Sequence, residues 1–467
     1  MASGAAWGRP AHPVHPARPA FDAPTVVRTV LDTLNGLFPE LGLTEASFAG
    51  FDFNTIVPGE TVQFVLANGT AVNLRVGGAA AKAAAVPRPR HKSDAEIAAA
   101  VLGARPDLRE RLRFSPDSAT CTRCTLYHCD PVTSVWRRLE KAAAGDLVVE
   151  LSLAASGLSA ADRRYVAGRN GRSYTVEAIG VQVLHEGFRD ELDADLSLLA
   201  TANGVFETAG GSRPVFRALR PEDRVSMTTG WAYSRGDVLD AAASAASRAE
   251  LDAFLERTLP VAEERRTVLA YFASLLSGRR TVKKVLVLSD ARSGRSGKSA
   301  LVALMAAFFG GYAADGCRFV SMTRSKAACD RNSPDSDALP FRGKRLVVAD
   351  GLGRCKLDIG LLQYLTSGSH TRVEGRCAGS RATFGFVWQA GIVLVFDHGD
   401  RPEYDPCDAA FTRRLLIVPM RAAFGPAPSA EQWTHEADPD VSGRFPGWMS
   451  ALADVLVEHY GRDSGMQ

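Results

Sequence analysis

No apolar run in the 467 residues reaches the ~18 to 20 positions that a membrane-crossing helix needs. The opening stretch, MASGAAWGRPAHPVHPARPAFDAP, lacks the apolar core of a secretory signal. The expectation is therefore an intracellular protein with no membrane partner. Cysteine is sparse and scattered. Cys121, Cys124, Cys129, Cys317, Cys329, Cys355, Cys377 and Cys407 suit reduced thiols better than a disulfide framework. An excess of one charge is lacking too: Lys+Arg total 55 against Asp+Glu 52, a formal net charge of +3. Any nucleic-acid contact must then use a local basic patch and not the field of the whole molecule. What is plentiful is apolar content, 46%, enough for cores in about two to four units of ordinary size.

Residues 1–24 are rich in Ala, Pro, Arg and His without periodicity and read as a disordered arm. A small α/β unit of unknown role follows over 25–78. In it Val26, Val30, Leu31, Leu34 and Phe38 recur at helical spacing behind Thr25. Val62, Phe64 and Leu66, then Asn68-Gly69, then Val72, Leu74 and Val76 alternate around a tight-turn dipeptide, which predicts a hairpin. The basic, proline-bearing stretch 79–93 reads as a linker. Residues 94–250 are mixed helix and strand without a repeat. A third unit spans 251–425: a helix-rich stretch ends at Gly278, and apolar strands alternating with helices begin at Lys283, the pattern of an α/β sheet. A helical segment, 426–467, follows it.

The chemistry lies in that third unit. KKVLVLSDARSGRSGKSALVALMAAFFGG reads as a buried strand (Val285 to Leu288), a Gly/Ser loop, and a helix opening at Gly297-Lys298-Ser299 and stopping at Gly310-Gly311. A bound triphosphate needs backbone N–H groups converging at a helix N-terminus, an ammonium for the terminal phosphates, and a hydroxyl for Mg²⁺. Gly294, Ser296 and Gly297 supply the loop, Lys298 the ammonium and Ser299 the hydroxyl. Where G-x-x-x-x-G-K-S wants its first glycine the chain has Arg292, so the loop is shifted or rebuilt. A second strand, Arg345 to Asp350, ends in a carboxylate placed to hold Mg²⁺. A third, Ile392 to Phe396, ends in Asp397-His398, and a fourth, Leu415 to Val418, is preceded by Arg413-Arg414. Singly these are ordinary strand-end turns and a solvated edge; in this order they point to an NTPase that uses Mg²⁺.

Over about residues 120–465 the sequence resembles the superfamily 3 helicase module of the primase-helicases of poxviruses and of some phages. SGRSGKSALVALMAAFFG looks like the family's Walker A, FRGKRLVVAD its Walker B, KLDIGLLQYLTSGSHTRVEGR its motif B′, GIVLVFDHGDRP its sensor 1 strand and FTRRLLIVPM its arginine-finger strand. Upstream, Asn203-Gly204, Pro221-Glu222-Asp223 and Tyr233 are similar to the domain that precedes the poxvirus-type motor, and FPGWMSALADVLVEHY is similar to the closing helix. The resemblance implies an α/β, AAA+-like P-loop NTPase core behind a mixed α/β N-terminal domain. It also implies an ATP-dependent DNA helicase of replication, working as a hexameric ring on single-stranded or forked DNA. Lys298 and Ser299 would bind phosphate and Mg²⁺, Asp350 would serve the metal and water, and Asp397 would stand at the sensor position. Arg413 or Arg414 would reach the next subunit's nucleotide. His370, Arg372 and Arg376 of motif B′ would contact the DNA backbone. The polymerase half has no counterpart, so a separate primase or polymerase is the implied partner, and a viral setting would place the protein in host cytoplasm or nucleus.

Four positions depart from the family pattern. Gly351 stands where a water-polarising glutamate belongs, a loss worth ~10² to 10⁴ in rate. Asp397 replaces an asparagine, Gln363 a lysine, and Ser367-Gly368-Ser369 a Gly-Gly-Asp. The rival expectation is a degenerate motor that binds ATP and serves as a replication scaffold while hydrolysing slowly or not at all. Cys121-x-x-Cys124 with His128 and Cys129 has zinc-ligand types, but the spacing is tight and no second pair follows, so the segment reads as strand, turn and strand. A plain DNA-binding module built on Arg137-Arg138 and PRPRHK would leave the glycine loop unexplained.

Overall fold

The computed structural model describes residues 61–65, 71–75, 91–116, 124–208, 213–235, 241–290, 294–316, 336–351, 356–368, 370–376, 383–397, 399, 404–405, 407–426 and 432–462. The arm 1–24, the helix read over Val26–Phe38, the Asn68-Gly69 turn, most of the linker, Cys121, Arg292, Ser369 and His398 lie outside them, as does the side chain of Arg376. Two compact units are present, 1–91 and 92–467. In the first, β1 (Thr61–Val65) and β2 (Ala71–Arg75) pair antiparallel with Val62 opposite Leu74 and Phe64 opposite Val72.

The second unit begins with α1 (Asp94–Ala104). Ser93 and Glu96 form a reciprocal capping box at its start, and Ile97, Ala98, Val101 and Leu102 recur at helical spacing to fill the core. Next come α2 (Leu108–Arg111) and the antiparallel strands β3 (Leu112–Pro116), β4 (Cys124–Cys129) and β5 (Trp136–Arg138). Cys124 and Cys129 thus sit at the two ends of one strand; Cys129 is buried, which pushes its thiol up to about 11. Helices α3 (Lys141–Ala154), α4 (Ala160–Ala167) and α5 (Arg169–Gln182) pack on α1 through Val148, Leu151, Val166 and Ile179. The short α6 (Phe188–Glu191) leads to an antiparallel sheet of β6 (Leu198–Ala200), β7 (Val205–Glu207) and β8 (Val215–Arg217).

Two helices, α7 (Ala241–Thr258) and α8 (Ala262–Ser274), precede the central sheet. Its strands are β9 (Val285–Asp290), β10 (Ala313–Asp315), β11 (Leu346–Ala349), β14 (Gly391–Phe396) and β15 (Leu415–Met420), in the order β10-β11-β14-β9-β15. Every pairing in it is parallel. All six residues of β9 and of β14 are buried, the near-continuous apolar run expected of a parallel strand covered on both faces. Helix α9 (Lys298–Phe309) follows β9 and packs its Leu301, Leu304, Met305 and Phe308 into the core. Between β11 and β14 lie α10 (Ile359–Leu365) and the hairpin β12 (Arg372–Arg376) with β13 (Thr383–Val387). The unit closes with α11 (Ala409–Thr412), the parallel pair β16 (Ala423–Gly425) and β17 (Thr434–Glu436), and α12 (Val441–His459). No helix among the described residues is long and apolar enough to cross a membrane.

The upstream region and the central sheet share one core. Arg345, just before β11, is 1% exposed; its guanidinium donates to Leu198 O at 2.7 Å, Leu196 O at 3.4 Å and the Gln389 side chain. Burial pulls its pKa down to about 10. A Cβ on Gly278 would lie 1.6 Å from the Arg345 guanidinium, so only glycine fits there. The Asn203 side chain brackets the backbone of Tyr233, accepting from its N at 2.9 Å and donating to its O at 2.8 Å, while Tyr233 Oη donates to Asp454 of α12 at 2.7 Å.

Candidate functional site

Parallel sheets gather ligands beyond the carboxyl ends of their strands, and here the ends of β9, β11 and β14 carry Asp290, Asp350 and Asp397. The chain turns sharply between β9 and α9: Gly294 (φ +72°), Arg295 (φ +53°) and Gly297 (φ +82°) are all left-handed. Gly297 is the N-cap, and a Cβ on it would lie 2.9 Å from the Phe424 ring and 3.1 Å from Thr258. The Arg295 carbonyl accepts from Phe424 N at 2.9 Å, which ties the loop to β16. Lys298 then opens α9 with its side chain directed inward, 6% exposed.

Three oxygens surround its ammonium. Nζ pairs with Asp290 Oδ1, with Asp397 Oδ1 at 3.0 Å and with Ser296 Oγ at 3.5 Å, and the Ser296 hydroxyl also donates to Asp290 Oδ1. The Asp290 side chain is fully buried whereas that of Asp397 is 69% exposed. The hydrogen bond from Lys298, followed by its charge, holds the Asp397 carboxyl below the usual carboxylate range. Ser299 in the first turn and Asp350 past β11 are both exposed at this same edge. Gly351 has φ +73° and open space around it.

Beside the loop a cavity of about 700 Å³ is walled by Phe254 and Thr258 of α7, Gly297, Phe424 and Trp448, with Glu250, Glu436 and Arg257 at its polar margin. Thr258 is fully buried, and its Oγ1 has no hydrogen-bond partner among the described residues. A buried hydroxyl without a partner costs about 1–3 kcal/mol, and this one is closed off behind the cavity wall.

The remaining candidates lie elsewhere. Arg413 and Arg414 precede β15, whose Leu415 pairs with Val285 at the start of β9. They are therefore one strand length, roughly 17 Å, from the Lys298 end of the sheet, and within one chain they are not part of that cluster. His370 and Arg372 line a second, open cavity of about 730 Å³ together with Arg280, Lys283, Tyr364 and Thr371. It opens at the amino end of β9. Arg280 is buried, donates to Val282 O at 2.9 Å, and keeps its Nε without a partner among the described residues. Gln363 donates to Asp408 at 3.0 Å, away from the groove's lining. The sequence reading missed Asp290, Thr258, Arg280 and Lys283. A carboxylate ending the otherwise apolar run VLVLSD was the one local signal among them.

Residues 111–260 match the protein family described as D5 N terminal like. A search of curated proteins finds no match. Among solved structures, the apo C-terminal region of NrS-1 (305–718) aligns at 9% identity over 79% of this chain and 72% of that one, with a TM-score of 0.41. The A form of the same region (305–718) aligns at 10% identity over 45% of this chain, with a TM-score of 0.31, and this chain spans only 46% of its length. JCV helicase aligns at 16% identity over 47% of this chain and 54% of that one, with a TM-score of 0.25. Likeness at these scores assigns neither a fold nor an activity.

Proposed function

We propose that the protein is an ATP-dependent DNA helicase of superfamily 3 type acting in replication, with the β9–α9 loop as its P-loop. The observation that carries this reading is the buried Lys298 ammonium at the N-terminus of α9, beyond the carboxyl end of a wholly parallel sheet. Such a terminus presents backbone N–H groups and a positive dipole to phosphate. The neighbouring cavity has the size and aromatic walls for the nucleoside end. The match of 111–260 to the D5 N terminal like family supports a replicative motor of the poxvirus type.

The donor set at the sheet edge fits Mg²⁺, because the Ser299 hydroxyl and Asp350 carboxylate are exposed hard oxygens, and such sites take only one or two from the protein. Bound there, the ion would neutralise charge on the terminal phosphates. In this reading Lys298 leaves its carboxylate partners to hold phosphate, while Asp397 orients the ammonium and the solvent beside it. Arg413 and Arg414, far from their own loop, suit a role at a neighbour's nucleotide in a ring of about six subunits. The basic groove of Arg280, Lys283, His370 and Arg372 suits the phosphates of single-stranded DNA. A separate primase or polymerase would act with it.

One observation favours a slow motor. Gly351 offers no carboxylate, and its left-handed φ is one that a glutamate would occupy only at a cost of ~1–2 kcal/mol. ATP binding and turnover, measured with and without single-stranded DNA for the wild type and Lys298→Ala, separate the readings. The helicase reading expects DNA-stimulated turnover that Lys298→Ala abolishes. Tight binding with turnover no faster than the variant's selects the scaffold, and binding indifferent to Lys298 refutes the P-loop assignment.

A further inference from the structure

The P-loop reading asks Lys298 for an ammonium that can meet phosphate, yet that ammonium is paired with Asp290 and Asp397. A charge only 6% exposed needs a compensating charge close by. Of its two carboxylate partners, Asp397 is largely in solvent and its pairing is screened, whereas the Asp290 side chain is wholly buried. Asp290 is therefore the dominant counter-charge. The Ser296 hydroxyl bonds to the same Asp290 oxygen, which keeps the carboxylate turned toward the loop. A phosphate entering this loop must either take Lys298 from Asp290, leaving a buried carboxylate with its main charge partner gone, or share the ammonium with a negative charge a few ångströms away. Both weaken phosphate binding.

We infer that Asp290 is a positioning residue for the Lys298 ammonium: it holds that charge and competes with phosphate for it, which sets the nucleotide affinity below what the loop would otherwise give. The inference rests on the nucleotide reading of the loop. It gives the site a built-in selectivity, because a ligand must carry enough negative charge to displace a buried carboxylate, and a triphosphate does so better than a monophosphate.

Asp290→Asn keeps the shape and an acceptor for Ser296 while removing the charge. Titration of ATP, ADP and AMP with Mg²⁺ against the full chain is expected to show ATP bound at least about tenfold more tightly by the variant, with the gain shrinking from ATP to AMP. Equal or weaker ATP binding by Asp290→Asn, or the same gain for AMP as for ATP, overturns the inference. If neither protein binds nucleotide, the P-loop reading itself fails; if both bind equally, only the role of Asp290 does. Should Asp290→Asn not fold, Asp290→Ser serves in its place.

Discussion

Among the described residues, Gly310 is the glycine whose added methyl group would come nearest to a backbone atom. It ends α9 with φ +47°, and a Cβ there would lie 1.9 Å from the Thr229 carbonyl oxygen and 2.6 Å from the Thr229 carbonyl carbon. Both are backbone atoms, so no rotamer change relieves the clash. Alanine pays for the left-handed φ by ~1–2 kcal/mol and for overpacking by ~1–3 kcal/mol. Relief requires moving residues 228–231 off the end of α9, where Gly311 N donates to Thr228 O at 3.1 Å and Trp231 Nε1 to Phe308 O at 2.7 Å. Each of those bonds is worth about 1 kcal/mol. The expected loss for Gly310→Ala is therefore about 4–7 kcal/mol, a large share of a typical total of ~5–15 kcal/mol. Two glycines serve as internal controls. Gly230 (φ +86°) has nothing within 4 Å of its Cβ position, so Gly230→Ala should lose only the ~1–2 kcal/mol of backbone strain. Gly447, inside α12 with equally open space, should gain up to ~1 kcal/mol on substitution by alanine. Urea unfolding followed by tryptophan fluorescence and far-ultraviolet dichroism measures all three. A Gly310→Ala protein no less stable than Gly230→Ala would refute the reasoning.

Two other substitutions bear on the ligands. Replacing Lys283 and Arg372 by alanine should weaken single-stranded oligonucleotide binding and flatten the salt dependence of log K by about 0.7 for each phosphate that is no longer neutralised; anisotropy over a KCl series reads it, and an unchanged slope removes the groove from the DNA path. Thr258→Val deletes a buried hydroxyl that has no partner among the described residues, so the protein should keep its stability or gain about 1–3 kcal/mol with its nucleotide affinity unchanged. A loss of stability on urea unfolding would show that the hydroxyl is satisfied.

The parts of the fold that rest on local rules were legible. β9 and β14 announce themselves as apolar runs because a parallel strand is covered on both faces, and α9 starts and stops at the glycines that its end conformations require. β9 nevertheless extends two residues beyond the run that marks it, since Ser289 and Asp290 are polar yet buried. The first turns of α7 are exposed and built from alanine and serine, so its apolar face becomes visible only near Leu251 although the helix begins at Ala241. The three-residue β10 is too short to carry a pattern. For the site, Lys298, Ser299 and Asp350 were readable because each sits at a fixed offset from a strand or helix end. The cavity was not, because Phe254, Phe424 and Trp448 come from three separated segments and only packing brings them together. Arg345 reads as an ordinary strand-entry cation, and nothing in its neighbours announces that it is buried.

That buried guanidinium has a consequence for ancestry. Its acceptors at Leu196 and Leu198 belong to the stretch that matches a family of its own, while Arg345 itself belongs to the sheet. A recombination event that moved the sheet without its upstream neighbour would have carried a desolvated cation into a new protein with two of its acceptors left behind. Because both acceptors are backbone carbonyls, what the sheet needs from the upstream stretch is the position of its main chain and not particular side chains.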